Sequence, residues 1–349
     1  VALNANGAGV LGQLTQITVG AGFVVNSLGD DFDADPGDGI CETTRSGECT
    51  LRAAIEELND PGGENPFFTD QTQKQTSGTP RIIFTGEASS GTIELLSDLP
   101  PIDETVIIDG PGVNQLTVVG ISIFSINGAT VTIQDLTLTE AGEGSGAAIV
   151  NFGRLALSNC SLEGFSADGI ANYDTLTVRN CSFSEIQGGA IGNFEGTVDV
   201  RNSSFSDNFA SDGGGIFNEG GSVAVDNCEF TNNSALNGGA IGNTSGSLTV
   251  NQSVFNNNIV NGFGGGAIFN EMGGTAEISN SQFSGNESLD GFGGAIYNPG
   301  GTLTLNNNRF GTAAGLAADN LIFGSEESNV DGFASGSDNV PETCNEGNC

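Results

Sequence analysis

The chain has 349 residues, 55 of them glycine, and 43 acidic against 8 basic side chains give it a formal net charge of −35. With no histidine it has no Ser-His-Asp triad, no Cys-His dyad and no His-ligated zinc. So acidic a chain is a poor nucleic-acid binder, because phosphate neutralisation needs Lys and Arg. Nine prolines and glycines without a three-residue period exclude collagen, while 37% apolar residues and 22 Phe are enough to build a core. No apolar run approaches the ~18 residues of a membrane span.

The chain opens at Val1 and is read as a mature form whose signal peptide has been removed, which places it outside the cell or on its surface. Residues 1–22 form an N-terminal arm with an alternating strand, Leu14 to Val19. The arm either folds back on its own molecule or is donated to a neighbour by strand addition.

Residues 23–79 read as a capping module. In TLRAAIEELN, Thr50 is a ready N-cap, and Leu51, Ala54, Ile55 and Leu58 make the apolar stripe of a short helix. Before the helix comes an acidic loop with Asp31, Asp33, Asp35, Asp38 and Glu42. Carboxylates at relative positions 1, 3, 5 and 12 have the oxygen-ligand spacing of a calcium loop, although Pro36 stands where such a loop has glycine. The competing reading is a solvated acidic turn held by a Cys41–Cys49 bridge. Calcium is thus the only cofactor expected.

The same segment carries Val25-Asn26-Ser27, then Pro36-Gly37-Asp38-Gly39-Ile40-Cys41, then Cys49-Thr50-Leu51-Arg52-Ala53-Ala54-Ile55. Over about 35 residues it resembles the CSLREA-type module of bacterial secreted proteins. That resemblance implies a secreted or surface-attached protein, with a right-handed parallel β-helix following the module. It implies no defined activity.

Residues 80–325 repeat. RIIF (81–84), GTIELL (91–96), 105–120 and 124–139 have the character of irregular coils. From Ile149 the unit is regular. Ile149, Ile170, Ile191, Ile216, Ile241, Ile268 and Ile296 recur every 21 to 28 residues. Two residues after each lies an asparagine: Asn151, Asn172, Asn193, Asn218, Asn243, Asn270 and Asn298. Each unit then has an alternating segment ending in Leu162, Phe183, Phe205, Phe230, Phe255, Phe283 or Phe310. Cys160, Cys181, Ser203, Cys228, Ser253, Ser281 and Asn308 share one further place, where the cysteines read as small buried hydrophobes.

Such a unit cannot bury its apolar face alone, but stacked copies about 4.8 Å apart bury a continuous core. The fold class expected is therefore all-β: a single-stranded parallel β-helix with a short N-terminal capping helix. It should have about ten or eleven coils and a length of roughly 45–55 Å. Asparagines should stack into amide ladders, phenylalanines into a column, and the glycines before each Ile should supply positive-φ corners. The variable spacing is assigned to one loop, as in NSALN and NIVNGFGG. The last segment, 326–349, is a tail in which Cys344 and Cys349 can close a clasp.

Three functions follow from this frame. The first is a non-enzymatic extracellular structural rod, joined head to tail with copies of itself into a fibre or surface layer. The second is a carbohydrate-binding or adhesive protein, for which an extracellular polysaccharide is the partner and exposed aromatics or carboxylates the signature. Tyr173 and Tyr297 are the only tyrosines. The third is a polysaccharide lyase or hydrolase. The repeat offers it little, since Arg179 and Arg201 beside Asp199 and Asp226 have the pattern of a surface ion-pair ladder. An ice-binding face is disfavoured by the mixed column Thr177, Asp199, Ala224, Thr249, Glu277 and Thr304.

Overall fold

A computed structural model describes residues 22–59, 78–142, 144–262, 264–289 and 293–311, together with the backbone of two strands, Ile322–Gly324 and Asn329–Asp331. The arm 1–21 and the Cys344/Cys349 pair lie outside the described residues. No helix in it is long and apolar enough to cross a membrane.

Short strands with alternating burial wind into a parallel solenoid. In the coil from residue 197, Thr197–Arg201 points Val198 and Val200 inward and Asp199 outward. The backbone then turns at Asn202, runs through Ser204–Ser206, turns at Asp207, runs through Phe209–Asp212 and enters Ile216–Glu219. Ser222–Asp226 lands beside Thr197–Arg201 in register, Val198 opposite Val223. Among the described residues the first sheet has twelve strands, the second ten, the third nine and the fourth four. Pairing is by like residue: Ile170 meets Ile191, and Phe205 meets Phe230.

The fourth sheet corrects the assignment of the variable residues to a loop. Coils of 21 residues lack it. Where the coil lengthens, Phe209–Asp212, Ser234–Asn237, Ile259–Val260 and Glu287–Ser288 pair in parallel. The extra residues thus gain the same backbone hydrogen bonds as their neighbours, which a free loop would forgo.

Before the Ile column the expected positive-φ glycines are present at Gly189, Gly213, Gly238, Gly264 and Gly293. After the seven first-sheet strands from Arg154–Ser158 to Thr302–Asn306 the left-handed residue is instead Asn159, Asn180, Asn202, Asn227, Gln252, Asn280 or Asn307, at φ of 50–54°. Asparagine tolerates this region because its short amide bonds locally. Glycine is needed for a different reason at Gly221, where an added Cβ would lie 2.3 Å from the Asn193 amide nitrogen.

The first rung is built before the repeat begins. Gly22–Val25 pairs in parallel with Arg81–Phe84, so the capping module starts as a strand of the first sheet. The helix Leu51–Asn59 then packs Leu51, Ala54, Ile55 and Leu58 into the same core as Phe23 and Val25. This covers the open end of the solenoid, where a bare rung would expose core and strand edges.

Candidate functional site

The cap is ordered by charge. Thr50 is the N-cap foreseen: its Oγ1 accepts the Ala53 N–H at 3.0 Å and donates to the Asp31 carbonyl at 2.7 Å. Cys41 and Cys49 are disulfide-bonded. Asn26 donates to the Gly47 carbonyl and accepts the Cys49 N–H. Sequence reasoning missed Arg52. Its guanidinium forks onto Asp30 at 2.9 and 2.8 Å and donates to the carbonyls of Ser97 and Asp98. Both side chains are 2% exposed. Asp30 also accepts the Leu96 N–H, so one buried ion pair ties the helix to the first coil.

Three of the five candidate calcium ligands, Asp33, Asp38 and Glu42, accept amides of the loop itself. Asp33 accepts the N–H groups of Asp35 and Glu42, Asp38 accepts that of Ile40, and Glu42 that of Gly47. Asp31 lies 3.7 Å from Arg45, and Asp35 is exposed. Two helix carboxylates, also missed, complete the arrangement. Glu56 accepts the Asp33 N–H, and Glu57 those of Gly37 and Gly39. Burial pushes Asp33, Glu56 and Glu57 above the ordinary carboxylate range, against the pull of those backbone donors. Among the described residues no group of three or more His, Cys, Asp or Glu is placed to hold a metal ion.

In the coils the foreseen columns are present. From Asn151 to Asn298 each Nδ2 donates to the next Oδ1 at 2.5–2.7 Å, all fully buried or nearly so. The rings of Phe183, Phe205, Phe230, Phe255, Phe283 and Phe310 stack at 4.6–4.9 Å. A second amide ladder was not foreseen: Asn208, Asn233, Asn258 and Asn286, linked at 2.9–3.0 Å. Its signal was available as an asparagine three residues after Phe205, Phe230, Phe255 and Phe283. Cys160, Cys181 and Cys228 are free and buried, as expected, but their column is not merely apolar. The amides of Cys181, Cys228 and Ser253 donate to Ser203, Ser253 and Ser281 of the following coil, each at 3.1 Å.

Two outward features bear on function. Phe152, Tyr173 and Phe194 stack at 4.8 and 5.2 Å on the third sheet, with Phe152 and Tyr173 about half exposed. Beside them Asp168 stands in a column otherwise filled by Ala147, Gly189, Gly214 and Gly239. Burial alone pushes its carboxyl up to about 6. Its Oδ2 and the Phe194 ring both reach the open side of Gly192. On the first sheet Asp199 bridges Arg179 at 3.4 Å and Arg201 at 2.9 Å, the expected ion-pair ladder. Tyr297 stacks on Phe269 at 5.6 Å.

Residues 280–299 match the model of the Chlamydia polymorphic membrane protein repeat. The crystal structure of an alginate lyase from Paenibacillus sp. str. FPU-7 is similar at 14% identity and a TM-score of 0.42, over 74% of this chain and 94% of that one. Pectate lyase Pel9A is similar at 13% identity and a TM-score of 0.43, over 84% and 79% of the two chains. No curated protein sequence matches. Residues 119–283 match the family model described as a right handed beta helix region, and the sheets found there are those of a right-handed parallel β-helix.

Proposed function

We propose that the protein is a non-enzymatic structural rod of the cell exterior. One observation carries the reading: buried ladders and stacked rings run through coil after coil in register, from Asn151 to Asn298 and from Phe183 to Phe310. A solenoid stacked in this way resists bending, because displacing one coil breaks amide bonds to both neighbours. The Cys41–Cys49 disulfide supports an oxidising, extracellular setting. The cap supports a CSLREA-type reading through the partners that Asn26, Thr50 and Arg52 find. Because the helix closes the N-terminal end of the rod, head-to-tail joining rests on the arm 1–22 and on the C-terminal end, not on a bare first rung.

The assignment as a non-enzyme rests on chemistry. There is no histidine, and Arg179 and Arg201 are engaged by Asp199. Incubation with acidic and neutral polysaccharides should release no new unsaturated or reducing ends; release above the buffer rate overturns the reading. Negative-stain microscopy should show thin rods or end-joined fibres, and isolated particles at every concentration would remove the assembly. Carbohydrate binding is the second reading, favoured by the exposed stack and Asp168. The rings cover one another's faces and offer solvent mainly their edges, which makes them a weak sugar platform. A glycan array with no retention, with or without calcium, removes it.

A further inference from the structure

The column holding Cys160, Cys181, Ser203, Cys228, Ser253, Ser281 and Asn308 has one place where two thiols are direct neighbours. Ser158 pairs with Arg179 and Ser161 with Ser182, so Cys160 and Cys181 face each other on consecutive coils. The Cys160 N–H donates to the Cys181 Sγ at 3.4 Å. Both residues are almost fully buried, at 1% and 3% exposure. Coils stack about 4.8 Å apart, inside the roughly 4.4–6.8 Å Cα range that a disulfide spans. Cys228 has serines on both sides and no such neighbour.

We propose that Cys160 and Cys181, free thiols in the structure, are a covalent modification site that closes to a coil-to-coil disulfide when the chain folds in the oxidising setting that closes Cys41–Cys49. The hydrogen bond at this position does not require sulfur, since serine supplies it in three other coils. The two thiols are also unequal. Donation from the Cys160 amide and thiol holds Cys181 below the ordinary thiol value, while Cys160 is pushed well above it by the same contact and by burial. In the open chain either thiol ionises as an ordinary cysteine does, and the exchange can start at Cys181. Cys181 attacks a small-molecule disulfide such as oxidised glutathione, forming a mixed disulfide and expelling one glutathione thiolate. Cys160, giving up its proton, then attacks the Cys181 sulfur, and the second glutathione leaves as thiolate. The two protons go to the released thiols, so two protein thiols are oxidised and one glutathione disulfide is reduced. Because both sulfurs are buried, the reagent meets them before the coils close or on local opening.

The test folds the full chain in oxidised-glutathione buffer, blocks free thiols with iodoacetamide and digests with trypsin without reduction. Cleavage after Arg154, Arg179 and Arg201 puts Cys160 in peptide 155–179 and Cys181 in 180–201. The two should be recovered as one linked species, two hydrogens lighter than their sum. The linked peptides of Cys41 and Cys49 report that folding was oxidising. Alkylated Cys160 and Cys181 alongside that bridge, or either one bonded elsewhere, overturns the proposal. In the same buffer Cys181→Ser should fold, as Ser203 and Ser253 do in place, and melt about 2–4 °C below the parent. Equal melting overturns the bridge as a clamp.

Discussion

Residues 22–59 and residues 149–310 both bury polar side chains, and they satisfy them by opposite means. The cap uses full charges. Arg52 and Asp30 neutralise each other, while Glu57 and Asp33 accept backbone amides. Each is a single arrangement with no copy elsewhere in the described chain. The coils use neutral amides, each donating to the next and accepting from the last, so that one geometry serves seven coils. A ladder of charges could not be stacked at coil spacing, because like charges would repel at every step. A neutral ladder extends without that cost, whereas an end, which occurs once, can be closed by a specific ion pair.

The sharpest way to break this contrast is at Arg52. Arg52→Ala leaves the Asp30 carboxylate buried without its partner and should cost about 3–5 kcal/mol in denaturant unfolding. A loss below 1 kcal/mol would mean that the pair is not the tie between helix and coil. Asn218→Ala takes from the Asn193 Nδ2 one of its two acceptors and from the Asn243 Oδ1 its ladder donor, and should cost about 1–3 kcal/mol. Asn298→Ala at the last observed rung should cost clearly less, and equal losses would argue against a ladder that acts as a chain.

Asp168 tests the neutral character of the coils. Its folded carboxyl titrates at about 6 against an ordinary 3.8. The folded state therefore holds the proton where the unfolded chain has released it, and stability falls as pH rises from about 4 to 6. Asp168→Asn should raise stability by about 1–2 kcal/mol at pH 8 and leave pH 4 unchanged. Unfolding curves at the two pH values decide it. In the cap Asp33, Glu56 and Glu57 shift in the same direction, while the hydrogen bonds from Thr43 and Ser27 shift Glu48 in the opposite one, so the two responses to acid oppose each other there. The smallest effect is expected at Asp199→Ala, which removes only a surface ladder and should leave melting unchanged within error.

The coils were legible because repetition amplifies weak signals. One Asn two residues after one Ile means nothing, but seven such pairs fix a buried column. The second ladder, Asn208 to Asn286, was overlooked because it spans only the four longer coils, whose extra residues resembled loop. The cap helix was readable from Thr50 and its apolar stripe, but Arg52, Glu56 and Glu57 were not. Their partners lie 18 to 46 residues away in sequence, and a charged residue on a short helix ordinarily faces water. Within the calcium-like spacing of Asp31 to Glu42, the sequence did not show that Asp33 and Asp38 accept amides of their own loop. The one signal for Asp168 is its place two residues before Ile170, where neighbouring coils carry Ala147, Gly189, Gly214 and Gly239.

The interior amide columns should lock the middle coils into one stiff body, to which the cap is an attachment. Hydrogen exchange followed by mass spectrometry tests this directly. Amides from residues 170 to 283 should exchange last and together, after those of residues 22–59, and Asn218→Ala should release coils on both sides of the substitution at once. Middle coils that exchange one by one, as early as the cap, would contradict it.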